Sequence, residues 1–392
     1  LNAKGPLSHF REKNLWPLDN RFLIRYIVIL ALGLVSCVSV QNTTTNTPAP
    51  PVTQAYAKPK NVILLIGDGM GLPQITGAMY MNNNQTVFER FKNIGFHKSH
   101  SSDNLITDSA AGATAFASGV KTYNGAIGVN AKKEPVPTLL EMAEEKGMAT
   151  GLVASSSITH ATPAAFMAHI AGREEKEAIA ADLVKTPVDI FIGGGMDYFS
   201  RRKTDERDLV AELVAKGYVI SNFFDLDIKD LDIKTEKNIG YFTANGEPLP
   251  ASEGRDYLLP ATRKALNFLE DRSPNGFFVM IEGSQIDWGG HANDANYVIS
   301  EMKDFEPVVA AALDFAAKNK ETLVIVTGDH ETGGFAVQPG SKLNKIEVAF
   351  STKSHTALMI PVFAEGPGAE AFRGIYDNTD IFDKLKSAME LK

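Results

Sequence analysis

The chain has 392 residues, 44% of them apolar and 22% charged, with a formal net charge of -8. That balance excludes a mainly disordered chain, and the lack of a long Lys/Arg run excludes a surface that tracks a nucleic-acid backbone. Anions can still bind an acidic protein where a local cluster of cations overrides the global field.

Residues 1–20 fit neither a targeting signal nor a fold, and read as an extension upstream of one. An apolar run from Phe22 to Val35 follows, flanked and interrupted by Arg21 and Arg25, which is the order of a secretory signal. The run is shorter than the ~20 residues needed to cross a bilayer. Leu34-Val35-Ser36-Cys37 resembles the bacterial lipobox, so residues 1–37 are read as extension and signal, with a lipid anchor at Cys37. A plain signal peptide with an incidental cysteine is the alternative. Either way the protein is expected to be exported, to the periplasm or cell envelope. Cys37 is the sole cysteine, so no internal disulfide is available and stability must come from packing and bound groups. Residues 38–60, rich in Thr, Asn, Pro and Ala, read as a flexible tether.

Residues 61–392 form the expected catalytic domain. Val62–Ile66 is a continuous apolar run ending in Gly67-Asp68-Gly69, the pattern of a strand buried on both faces. The same grammar recurs in Ala149–Ala154 before three serines, and in Val188–Ile192 before three glycines. It recurs again in Phe277–Ile281 before Glu282-Gly283, and in Leu323–Thr327 before Gly328-Asp329-His330. Helical patterns lie between them, at Pro137–Lys146, Asp205–Lys216 and Glu301–Lys318. Alternation of this kind predicts an α/β fold, a largely parallel central sheet with helices on both faces. In such sheets ligands bind beyond the carboxyl ends of the strands. Asp68, Glu282, Asp329 and His330 would all gather at that edge. Each alone is also a turn or capping residue; four at equivalent places point to one site.

Asp287 and His291 stand four apart, on one face if the segment is helical, although its Gly-Gly pair also permits a loop. Asp329 and His330 are adjacent, and His355 precedes another apolar run. Mixed carboxylate and imidazole donors suit zinc. Asp68, Glu282 and a threonine hydroxyl make a harder oxygen set, nearer to magnesium's preference. Ser109 opens the small-residue stretch Ser109–Ala115, which reads as a tightly packed helix. At its N-terminus, free N–H groups and the helix dipole favour an anion. A serine hydroxyl is a weak nucleophile, and metal coordination is one way to activate it.

Several motifs, in family order from about residue 61 to 380, resemble alkaline phosphatase. They are Gly67–Gly71, Thr107–Ala111, Gly119–Thr122 with Asn124-Gly125, and His160–Ala164. Glu282-Gly283 with Asp287 and His291, Thr327–Gly334, Ser354–Thr356 and Gly366–Glu370 complete the set. The resemblance implies an alkaline phosphatase-like fold that hydrolyses phosphate monoesters through a phosphoserine at Ser109, with two zinc ions and one magnesium ion. One zinc would be held by Asp287, His291 and His355, and the other by Asp68, Asp329 and His330. Asp68, Thr162 and Glu282 would hold magnesium. Arg173 would clamp the phosphoryl oxygens, oriented by Asp108, with His160 and Trp288 also near the substrate phosphate. His160 stands where some relatives have Asp, and Trp288 where some have Lys or His; packing against the site wall is the other reading of Trp288. The short interval between His330 and His355 implies a small crown, which leaves the family's homodimer open. Two alternatives remain: a phosphodiesterase of the same superfamily, and a non-catalytic, surface-tethered binding lipoprotein.

Overall fold

The computed structural model describes residues 57–233 and 237–392. The signal run, Cys37 and most of the tether lie outside the described residues. Among those described, no helix is long and apolar enough to cross a membrane.

Ten strands form one sheet. Its order is Gly374–Asp377, Asn93–Lys98, Ile360–Glu365, Thr322–Gly328, Asn61–Gly67, Phe277–Gly283, Ala149–Ser157, Ile190–Gly194, Ile239–Phe242 and Val219–Asn222. Only Ile360–Glu365 runs antiparallel to its neighbours; every other pairing in the sheet is parallel. The central strands carry continuous apolar runs because both faces are covered. Val62, Leu64 and Ile66 point into one layer, with Phe116, Leu139, Leu213 and Leu385 from helices on that side. Ile63 and Leu65 point into the other, with Ile75, Leu266, Met302 and Leu313. Each such side chain contributes roughly 1.5–3 kcal/mol on burial.

Several boundaries differ from the sequence reading, each for a local reason. The strand expected to stop at Ala154 continues to Ser157, because its serines find partners: Ser155 Oγ accepts from Ser284 N at 2.8 Å. The helix expected from Asp205 begins at Leu209, where Asp208 caps Ala211 N at 3.0 Å; Asp205 instead pairs with Arg202. The helix expected from Glu301 starts at Ala295, capped by Asp294, and runs through Pro307 to Asn319. Short strands such as Asn93–Lys98 and the amphipathic helix Leu258–Arg272 gave no legible run, since their apolar residues are interspersed with polar ones. Between His330 and His355 lies a two-stranded hairpin, Phe335–Val337 with Val348–Phe350.

Candidate active site

The register of three central strands builds the site. Gly67 lies level with Gly283 on one side and Gly328 on the other. The residues at these ends, Asp68, Glu282 and Asp329, therefore emerge together, all fully buried. Gly69 adopts a left-handed conformation (φ 73°), and a Cβ there would come within 2.7 Å of Asp287 Cα. Only glycine lets the turn after the first strand pass so close to the segment carrying Asp287. That segment is helical, Ile286–Ala292, and carries Asp287 and His291 in its first and last turns.

Ser109 is the first residue of the helix Ser109–Ser118, every residue of which is buried. Asp108 caps it, its Oδ1 accepting from Ala111 N at 3.0 Å, while its Oδ2 accepts from Arg173 at 3.0 Å. One carboxylate thus fixes both the helix start and the guanidinium. Ser109 Oγ lies 3.5 Å from Asp68 Oδ1 and 3.3 Å from His330 Nε2. Arg173 also reaches His160 Nε2 at 3.5 Å, and the half-buried Trp288 packs edge-on against the His160 ring at 5.8 Å.

Three groups of donor atoms, each within 4.8 Å of one another, converge here: Asp287 with His330 and His355, Asp68 with Asp329 and His330, and Asp68 with His160 and Glu282. His291 adjoins the first group, its Nε2 lying 3.1 Å from His355 Nε2 and 3.4 Å from Asp287 Oδ2. The outer nitrogens of both imidazoles are occupied: His291 Nδ1 bonds Lys353 O at 2.7 Å and His355 Nδ1 bonds Thr107 O at 2.8 Å. A carbonyl only accepts, so each Nδ1 carries the proton and leaves Nε2 as the atom available to a cation. Two lone pairs and a carboxylate facing one point are a fit for a cation. The same holds deeper in, where Asp68 Oδ2, Glu282 Oε1, Asp329 Oδ2 and Thr162 Oγ1 are buried and make no well-formed hydrogen bond among the described residues. Such groups are costly to bury unless something satisfies them.

The electrostatics carry the same strain. Burial, reinforced by Asp329, Asp287 and Glu282, holds the Asp68 carboxyl well above its usual range. Burial lifts Glu282 to about 8. For Asp329 burial is outweighed by neighbouring His330, and its pKa falls; His330 correspondingly rises, Asp329 overcoming the effect of burial. His355 drops to about 4 through burial and the nearby His330. Burial also holds His160 well below its ordinary value, helped by Lys176 and Arg173. With no cation the site cannot ionise all its carboxylates together.

The candidate catalytic, substrate-binding and metal residues read from sequence lie in this one region, whereas Cys37 lies outside the described residues. The reading missed residues that support it. Glu331 is buried and accepts from Gln74, Gly334 N, Phe335 N and Thr356. Thr332 bonds Asp287 and His330. Ser156 and Ser284 hydroxyls hold Glu282 Oε2 at 3.3 and 2.6 Å, and His97 bonds Gly328 O at 2.9 Å from beneath. The serines after Ala154 and the residues after His330 stood at strand ends like the rest, which was the available signal.

Comparison with known proteins bears on the same region. A model of the alkaline phosphatase family matches residues 59–345. Alkaline phosphatase 3 of Bacillus subtilis is 35% identical, covering 84% of this chain and 89% of its own. Alkaline phosphatase of Escherichia coli is 31% identical, covering 85% and 86%. The solved alkaline phosphatase of the Antarctic bacterium TAB5 superposes with a TM-score of 0.82 at 44% identity, covering 86% of this chain and all of that one. Variants of the TAB5 enzyme with a histidine replaced by glutamate or aspartate are described with magnesium bound in the M3 site. With the parallel sheet, the convergent carboxylates and imidazoles, and likeness over most of its length, the chain belongs to the alkaline phosphatase family, enzymes that hydrolyse phosphate monoesters.

Proposed function

We propose that Ser109 is the nucleophile of this hydrolysis and that the site takes two zinc ions and a third ion, normally magnesium. The observation that carries this is the position of Ser109 Oγ, within 3.5 Å of both Asp68 Oδ1 and His330 Nε2 at the start of a buried helix. Asp287, His291 and His355 hold one zinc; Asp68, Asp329 and His330 hold the other. Asp68, Thr162 and Glu282 hold the third ion, with His160 adding a nitrogen donor that makes this site softer than an all-oxygen set. When bound, the ions supply Lewis acidity at the reacting oxygens and lower the pKa of a coordinated hydroxyl or water.

The residues do the rest. Arg173, held by Asp108, presents N–H groups to two phosphoryl oxygens, a charge-assisted geometry that lysine does not reproduce. The free N–H groups of the Ser109 helix add their dipole to the same anion. Ser109 Oγ attacks phosphorus in line; its bond to phosphorus forms as the ester P–O bond breaks, and the alcohol leaves. Water then attacks the phosphoserine from the vacated side, the Oγ–P bond breaks, and inorganic phosphate departs. Trp288 and His160 wall the cavity and limit the leaving group's approach. The signal-like segment and Cys37 support export to the cell envelope with a lipid anchor.

Hydrolysis of p-nitrophenyl phosphate by the full chain tests the assignment. The wild type should be active at alkaline pH and silenced by chelator. Ser109→Ala should lose about 1,000-fold or more in kcat, as expected when a covalent nucleophile is removed. A Ser109→Ala protein that turns over like wild type would reject Ser109 as nucleophile.

A further inference from the structure

The two proposed zinc sites adjoin at His330, and a further side chain touches a ligand of each. The Thr332 hydroxyl bonds Asp287 Oδ1, in the first site, and lies 3.2 Å from His330 Nδ1, in the second. A hydroxyl has one proton. Asp287 as a carboxylate only accepts, so Thr332 donates to it and must accept from His330 Nδ1–H. That assignment leaves His330 Nε2 as a lone pair directed at Asp68, Asp329 and Ser109. Thr332 is also the backbone partner of His355 in the short antiparallel pair Glu331–Thr332 with His355–Thr356. Two metal-facing side chains and the backbone of a third metal-facing residue therefore meet at Thr332.

The fold makes room for it deliberately. Thr332 is fully buried. A Cβ on Gly69 would come within 2.9 Å of Thr332 Oγ1, and one on Gly290 within 2.8 Å of Thr332 Cβ. Its neighbour Glu331, anchored by bonds to Gln74, Gly334 N, Phe335 N and Thr356, fixes the segment that carries the hydroxyl.

We propose that Thr332 is a positioning residue whose hydroxyl couples the two zinc sites. It orients the Asp287 carboxylate of one and sets the tautomer of the His330 imidazole of the other. The inference rests on the two-zinc reading. Groups behind metal ligands typically change metal affinity by tenfold to a hundredfold; here one hydroxyl stands behind ligands of two ions, so its loss should weaken both.

The test is zinc titration of the metal-free full chain in competition with a chromophoric chelator. Wild type should take up two tightly held zinc ions. Thr332→Val keeps the shape and removes the hydroxyl; it should weaken both ions by about tenfold to a hundredfold, and Thr332→Ser should restore both. Should the valine prove too tight to fold, Thr332→Ala removes the same hydroxyl without filling the space, and the same weakening of both ions by about tenfold to a hundredfold is expected. Wild-type affinity for both ions in the valine or alanine protein would overturn the proposal, and so would a loss confined to one ion or a serine variant that restores neither. A wild type that binds fewer than two ions would overturn the two-zinc reading itself, a result distinct from any difference between Thr332 variants.

Discussion

Arg173 shows how a single residue's role follows from its surroundings. It is a half-buried cation whose pKa stays raised because Asp108 outweighs the penalty of burial. Asp108 is in turn fixed by its cap on Ala111 N and by Asn124, whose Oδ1 accepts from Asp108 N at 3.0 Å. The guanidinium is therefore pre-oriented before any anion arrives. Removing it should raise the inhibition constant of inorganic phosphate about tenfold to a hundredfold, the worth of a charge-assisted pair, while leaving part of kcat. Phosphate inhibition of Arg173→Ala measures this, and an unchanged constant would take Arg173 out of the site. Asp68, Glu282, Asp329 and His330 were legible in sequence because they recur beside glycine at strand ends, whereas Arg173 and Asp108 came only from the resemblance to the family. Thr332, Ser156 and Ser284 were not legible. Their hydroxyls act through partners between 2 and 126 residues away in sequence, and a place near a strand end was the one signal they offered.

At the scale of elements, the helix Leu139–Glu145 carries a tension unrelated to the site. Burial lifts the Glu144 carboxyl to about 7, despite the hydroxyl of Thr150 that bonds it. It also sits in the last turn, where the helix dipole disfavours a negative charge. The folded pKa exceeds the unfolded one, so the protonated form favours folding. That contribution is complete below about pH 4.5 and lost as the pH rises toward 7. Glu144→Gln should therefore raise stability at pH 8 by on the order of 1–2 kcal/mol and change little at pH 4. Denaturant unfolding at both pH values checks it; an equal change at both would show that charge is not the cause. Strands and helices with continuous apolar runs were readable because both faces of the central sheet are covered. Asn93–Lys98 and Gly374–Asp377 were not, because near the sheet edge one face stays partly open and the apolar signal thins to alternation. The helix starting at Leu209 was misplaced because Asp205 and Asp208 both offered a cap.

For the molecule as a whole, an acidic chain of net charge -8 must hold a dianionic group. It does so by concentrating metal-type donors and one clamped arginine at the carboxyl edge of the sheet, where strand register brings Asp68, Glu282 and Asp329 level. Fold class and site location followed from the recurring strand-end pattern. The assignment of donors to particular ions did not, since that depends on which lone pair each imidazole turns inward, and hence on Lys353 O, Thr107 O and Thr332. The central claim is that phosphate passes through Ser109. The most direct measurement is rapid acid quenching of the metal-loaded enzyme during turnover of a phosphate monoester, followed by peptide mass spectrometry. Phosphate should be found on Ser109 in wild type and on no residue in Ser109→Ala. Phosphate on another residue, or a Ser109 that never carries it under conditions where turnover proceeds, would contradict the account.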